Sequence, residues 1–252
     1  GVSLQEHVKI TSVTSENKKI IISYSEKTEK KKKITASHLL VATGRKANID
    51  TLRAQLAGID TTPKGIVVNE NLRTTNPRVY AIGDCIGGYQ FTHVAGYHAG
   101  LAIRNSIFRL GAKVQTQAIP WVTYTDPELA HVGFMESQLI AQKKPFKKLQ
   151  MSFEEDDRAQ AENKTYGSIK VLVSPKGYIL GATILGSQAG ELIYPWVIAI
   201  QNKLKISAIA NSIAPYPTLN DLNKRVAGSY FTHKIFSPFI KKIVRKIMGC
   251  TR

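Results

Sequence analysis

Two short clusters in this chain combine residue types that could bind a ligand. In the first, the apolar run Val79-Tyr80-Ala81-Ile82 ends in Gly83-Asp84, a glycine turn at Gly87-Gly88 follows, and Thr92-His93-Val94-Ala95 leads into an Ala/Gly-rich helical pattern from Ala95 to Phe108. A carboxylate at the end of a strand can hold a sugar hydroxyl, and the free N–H groups that begin a helix attract an electron-rich ring edge. In the second, Thr43-Gly44-Arg45 closes another apolar run. Glycine there lets the backbone approach a ligand closely, and the guanidinium can take a phosphate or a carboxylate. Each signal is weak alone, because an Asp after a Gly is also an ordinary turn residue.

The elements that must carry these clusters follow from periodicity. Residues 1 to 37 alternate apolar and polar positions, as in Val8 to Val13 and Ile20 to Tyr24, around a lysine-rich turn, which predicts a three-stranded antiparallel meander. A ribbon of that size has little core of its own. Leu39-Leu40-Val41-Ala42 is uninterrupted, as expected for a strand buried on both faces of a parallel sheet. Leu52 to Leu56 reads as a short helix, Lys64 to Val68 as a hairpin strand, Arg73 to Pro77 as a turn, and Ala95 to Phe108 as a helix. From Trp121 the pattern changes. Runs at Ile169 to Val173 and Tyr178 to Ile184 flank Pro175-Lys176-Gly177 as a hairpin, and Leu192, Val197, Ile200 and Leu204 repeat at helical spacing within Glu191 to Leu204. Strands with segregated helices make an α+β domain. Trp121, Tyr124 and Trp196 are large enough to anchor an interface or to fill its core.

Composition narrows the function classes. The 252 residues suggest about two domains, and a 43% hydrophobic content is ordinary for a globular chain. No stretch supplies the ~20 apolar residues of a membrane span, and Gly1 to Glu6 lack the charged and apolar regions of a signal peptide, so export is not expected. Cys85 and Cys250 are far apart and make neither a disulfide framework nor a metal site, so a cytoplasmic setting is expected. The formal charge of +17 is spread over lysine groups at 30 to 33, 143 to 148 and 234 to 252. No aromatic residues interleave them at a stacking spacing and no nucleic-acid-binding motif is present, so nucleic acid is not an expected partner.

Taken in order, several blocks resemble one family. They are Leu39 to Arg45, Gly65 to Asn69, Arg73 to Asp84, Phe91 to Ala95, Ile119 to Gly133, Asp157 to Ala159, Gly181 to Gly186, Ala189 to Glu191 and Tyr216 to Thr218. Together they resemble the pyridine nucleotide-disulfide oxidoreductases over about residues 1 to 226, and Phe91 to Ala95 is most similar to the mercuric reductase-like branch. The resemblance implies a mixed α/β and α+β fold. Residues 1–48 would be the end of an NAD(P)-binding domain, 49–115 the C-terminal part of an FAD-binding domain, 116–227 a dimerisation domain and 228–252 a basic tail. It also implies FAD as cofactor, NAD(P)H as reductant and a homodimer. Asp84 would meet the ribityl chain of FAD, and Thr92, His93, Val94 and Ala95 the flavin's pyrimidine edge, His93 mainly through its backbone. Gly44, Arg45 and Gly83 complete the expected cofactor contacts.

The chain also departs from the family pattern. The family's acid–base pair, a His before Pro-Thr and a later Glu, is matched by Tyr216 and Asp221. A tyrosine with an ordinary pKa of about 10 does not replace a histidine that titrates near neutrality. Ala214 stands where the mercuric reductase-like branch commonly has a His. No GxGxxG loop with its acidic ribose ligand occurs, nor a CxxxxC pair, which implies the C-terminal part of a longer enzyme, inactive and a weak FAD binder when alone. The alternative is a non-catalytic dimerising module. In the tail, Ile235, Phe236, Phe239, Ile240, Ile243, Val244 and Ile247 alternate with Lys241, Lys242, Arg245 and Lys246 at helical spacing. Such a basic amphipathic helix suits either docking on the dimer or peripheral contact of residues 229–252 with the inner membrane face.

Overall fold

A computed structural model describes residues 1–26 and 31–249, without the side chains of His233 and Lys234. Lys30 and Cys250 lie outside the described residues. The chain opens with the expected meander: β1 (Lys9–Glu16), β2 (Lys19–Ser25) and β3 (Lys31–Ala36) pair antiparallel in the order β1-β2-β3. Every residue of β1 is exposed, and in the central strand β2 only Tyr24 is buried. This ribbon holds its shape by backbone pairing rather than by a core.

The strand expected at Leu39 to Ala42 does not form, and Leu40 is 89% and Val41 69% exposed. A parallel strand needs a neighbour to take its N–H and C=O groups, and no strand of the described residues lies beside it. The run Val79 to Ile82 meets the same limit and makes only an isolated bridge, Arg73 with Tyr80. In place of one short helix, two 3-10 turns, Asp50–Leu52 and Ala54–Ala57, are separated by Arg53 in the left-handed region. The short hairpin β4 (Thr61–Thr62) and β5 (Gly65–Ile66) follows. Ala54, Ile59, Ile66 and Ala81 form a small core beneath it. Helix α1 (Thr92–Ser106) starts three residues before the expected Ala95.

The second half is an antiparallel sheet of β6 (Trp121–Thr123), β7 (Glu128–Gly133), β8 (Lys147–Ser152), β9 (Ser168–Val173) and β10 (Ile179–Gly186), ordered β6-β7-β10-β9-β8. Short helices α2 (Glu136–Ala141) and α3 (Asp157–Ala161) occupy the connections around β8. The sequence continues through α4 (Ala189–Leu192), α5 (Tyr194–Gln201), α6 (Ile206–Ala210) and α7 (Asp221–Ile235). Helices α4 and α5 contact β7 and β10, while α7 contacts β8 and β9. Register aligns Val132, Ala182 and Val171 in one row and Ala130, Ile184 and Ile169 in the next, all buried. Trp196 of α5 is fully buried over this face and donates from Nε1 to Asn223 Oδ1 of α7 at 2.7 Å. Trp196 is therefore core, Trp121 is half-buried against His131, and Tyr124 is 80% exposed.

After Ser237, α8 (Pro238–Gly249) begins with proline in its first turn and contains no buried residue. Proline is suited to that position because the first N–H groups of a helix have no intrahelical acceptor.

Candidate functional site

The Gly83–Asp84 corner is built by close packing. Gly83 has φ +68°, and a Cβ there would lie 3.0 Å from the Ala95 Cβ of α1. Behind it, the Gly83 N–H donates to Nδ1 of His98 at 3.3 Å. His98 is buried, and burial lowers its pKa, which favours the neutral imidazole that can accept this bond. Sequence reasoning passed over His98. It sits in the buried stripe Val94, His98, Leu101, Asn105 of α1, whose helical spacing was visible in the chain.

Asp84 begins the last turn before the glycines, within the 3-10 segment Gly83–Ile86. Its Oδ2 accepts from Nη2 of Arg45 at 2.5 Å, which brings together two residues 39 positions apart. Both side chains are partly open to solvent, so the ion pair orients Asp84 more than it stabilises the fold. Gly44 lies beside Arg45 in the same exposed loop, with φ +116°.

Facing this corner is the start of α1. Phe91 is the N-cap residue and makes no side-chain capping bond. Its carbonyl accepts from Val94 and Ala95, so Thr92 and His93 carry the first N–H groups of the helix. His93 does not turn its ring to that end: Nε2 lies 2.9 Å from the Pro120 carbonyl, and the ring stacks on Phe91 at 5.2 Å and 12°. What this end offers is backbone N–H and the positive end of a fifteen-residue helix. A carboxylate able to meet hydroxyls and an uncapped helix start able to meet a ring edge fit a polyol-bearing aromatic cofactor such as a flavin.

Tyr216 and Asp221 are not a hydrogen-bonded pair. The Tyr216 hydroxyl donates to Oδ2 of Asp157, at the start of α3, at 2.9 Å, while Asp221 begins α7. Tyr216 has its pKa raised, first by this bond to Asp157 and least by the charge of Asp221. The phenol, 71% exposed, therefore holds its proton at neutral pH. Nothing in local spacing pointed to Asp157, which is 59 residues from its partner.

Among the described residues there is no His, Cys, Asp or Glu cluster suited to a metal ion, and no helix long and apolar enough to cross a membrane. The basic group at 143 to 148 is partly engaged within the fold: Lys148 pairs with Glu136, Lys144 lies over the Phe134 ring, and Lys147 lies over the Tyr230 ring.

Comparison with known proteins bears on both halves. Residues 1–99 match the family model described as pyridine nucleotide-disulphide oxidoreductase, and residues 119–226 match that family's dimerisation domain. A mercuric reductase of Staphylococcus aureus is 36% identical over 227 residues, covering 88% of this chain and 42% of the relative. A dihydrolipoyl dehydrogenase of Bacillus subtilis is 33% identical over 190 residues, covering 75% of this chain and 41% of the relative. The chain thus spans about two fifths of the length of these relatives. Among solved structures, LpdA from Mycobacterium tuberculosis superposes with a TM-score of 0.84 at 23% identity, over 91% of this chain and half of that one. The Cu(II) complex of the HOCl-induced flavoprotein disulfide reductase RclA from Escherichia coli gives 0.77, also at 23% identity, over 88% of this chain and 50% of that one.

Proposed function

The chain belongs to the pyridine nucleotide-disulphide oxidoreductase family, and from that premise we propose that it supplies one wall of the FAD site and the homodimer contact of an NAD(P)H oxidoreductase similar to mercuric reductase. The observation that carries this reading is the Arg45–Asp84 pair set against the uncapped start of α1. Asp84 would hold a ribityl hydroxyl, with Arg45 keeping its carboxylate in place. The Thr92 and His93 N–H groups would meet the pyrimidine edge, where the helix dipole favours negative charge. Val94 and Ala95 complete that first turn, and Gly83 lets the corner approach α1 closely. When bound, the flavin supplies hydride acceptance and onward electron transfer.

At the far site, Tyr216 stays a neutral phenol near pH 7, its hydroxyl hydrogen-bonded to Asp157, and acts there by positioning rather than by proton exchange. Its raised pKa excludes it as a base near pH 7. The boundaries near residues 48, 115 and 227 are proposed as the limits of the nucleotide-binding, flavin-binding and dimerisation parts. Tyr124, Tyr194 and Ile213 are exposed on the last of these and are available to a second copy. The NAD(P)H reductant and cytoplasmic setting belong to this same reading.

Titration of the chain with FAD, followed by flavin fluorescence, tests the first site. Weak binding is expected, reduced about tenfold or more by Asp84→Ala, in line with the ~1.5–3 kcal/mol of a hydrogen bond to a charged group. Equal affinity of the two proteins would remove Asp84 from the site.

A second reading concerns α8, where Phe239 is 70% and Val244 45% exposed beside Lys241, Lys242, Arg245 and Lys246. A helix of this kind suits an anionic membrane surface. Co-sedimentation with anionic vesicles should then depend on residues 238–252. Unchanged sedimentation after their removal counts against it.

A further inference from the structure

At the opposite end of α1 from the flavin-facing turn lies a second concavity that the proposed function does not use. It forms where the end of α1, the loop after it and the segment 69–80 meet, and its volume is about 610 Å³. That is within the usual range of small-molecule pockets, ~300–1,000 Å³. Arg73, Arg78 and Arg109 all line it, and no Asp or Glu does. None of the three takes part in an ion pair among the described residues. Nearby Lys113, by contrast, is neutralised by Glu70 at 2.8 Å.

The walls of this pocket are fixed before any ligand arrives. Asn105 is only 4% exposed and spends its whole amide on the wall. Its Nδ2 donates to the Asn71 and Ala112 carbonyls at 3.1 and 2.8 Å, and its Oδ1 accepts from the Ala112 N–H at 2.6 Å. Asn71 ties the same loop from the other side, donating to the Gly111 and Ala112 carbonyls at 3.0 and 2.9 Å. The loop that bears Arg109 is thereby stapled to the segment that bears Arg73. Arg73 is held in turn: Nε and Nη2 donate to the Tyr80 hydroxyl at 3.3 and 2.9 Å, with the guanidinium 5.4 Å from the ring centroid.

Three permanently charged guanidiniums gathered in one concavity repel one another and gain from a shared counter-ion. Their planar forks match phosphate oxygens in pairs. Nucleic acid is a poor fit, because the Tyr80 ring already carries Arg73 and offers no free stacking face on that side. We propose that this pocket binds a small phosphorylated molecule carrying two or more negative charges, with its phosphates taken by Arg78 and Arg109 beside the pre-set Arg73.

Isothermal titration of the 252-residue chain with inorganic pyrophosphate at constant ionic strength tests this. One saturable site per chain is expected. Its affinity should fall at least tenfold in the Arg78→Ala, Arg109→Ala double variant, and by a smaller factor in Arg78→Lys, Arg109→Lys, which keeps the charge and loses the fork. Both arginines are exposed, so matching thermal melts of parent and variants confirm that folding is unchanged. A variant neutralised at Lys241, Lys242, Arg245 and Lys246 should bind like the parent. The proposal is overturned by the absence of a saturable site, by equal binding in the double alanine variant, or by a loss that follows the tail charges instead.

Discussion

Residues 119–230 and residues 1–118 face the same demand, to remove apolar side chains from water, and meet it differently. In the second stretch a five-stranded sheet and the helices on it enclose one continuous core, with Trp196, Phe153, Ile169 and Ile184 all fully buried. In the first, the buried apolar cluster among the described residues comprises Ala54, Ile59, Ile66 and Ala81, with Leu72, Val94 and Leu101 buried outside it, while Leu40, Val41 and Leu56 stand in solvent. Composition does not account for the difference, since both stretches contain strongly apolar runs. Pairing accounts for it. An antiparallel sheet can be closed by hairpins from within one stretch, whereas a parallel strand depends on partners that are distant in the chain. The ligand-facing groups belong mainly to the first stretch, so they rest on the less enclosed part of the molecule.

The comparison can be broken by mutation. Trp196→Ala should cost about 3–5 kcal/mol, because it opens a cavity in the enclosed core and leaves Asn223 Oδ1 without its donor. Urea unfolding measures this, and a cost below ~1 kcal/mol would mean that the core is less continuous than it looks.

A smaller effect should follow from pH. His98 in the first stretch and His131 in the second both have lowered pKa values, in each case chiefly through burial. A histidine whose folded pKa is depressed binds fewer protons when folded. Its contribution is complete above the ordinary value of about 6.5 and is lost as pH falls from there through the folded value. Stability should therefore rise with pH across that window. His98→Gln and His131→Gln, compared at pH 7.5 and 5.5 by urea midpoint, assign the slope to one stretch or the other. A slope that survives both substitutions places its origin elsewhere. The smallest effect is expected for Leu40→Ala, within about 0.5 kcal/mol of the parent, since its side chain is 89% exposed. A larger loss would show that this run is covered in solution.

Much of the architecture was legible from the chain. Alternation located the meander, the Pro175-Lys176-Gly177 hairpin announced β9 and β10, and the helical spacing of the tail announced α8, although Ile235 belongs to the end of α7 instead. Leu39 to Ala42 was not legible, because an uninterrupted apolar run reports a tendency to be buried and not the presence of a partner strand. Glu191 to Leu204 is similarly divided into α4 and α5 at Ile193, ahead of Pro195. At the site, Asp84 could be read from local order, since a glycine corner declares itself within a few residues, whereas the Ala/Gly pattern placed the helix from Ala95 and only the family resemblance pointed to its start near Thr92.

The sequence by itself determined the types and local positions of the groups that can meet a ligand: a carboxylate after a glycine, a helical pattern closely following it, a tyrosine before Pro-Thr. Only the tertiary structure decided their partners. Arg45 on Asp84, His98 behind Gly83, Asp157 on Tyr216 and Asn105 across to Ala112 join residues 7 to 59 positions apart. Hydrogen bonds are short-ranged and directional, so such pairs exist only once packing has brought the elements together. Local spacing records the elements, not their meeting.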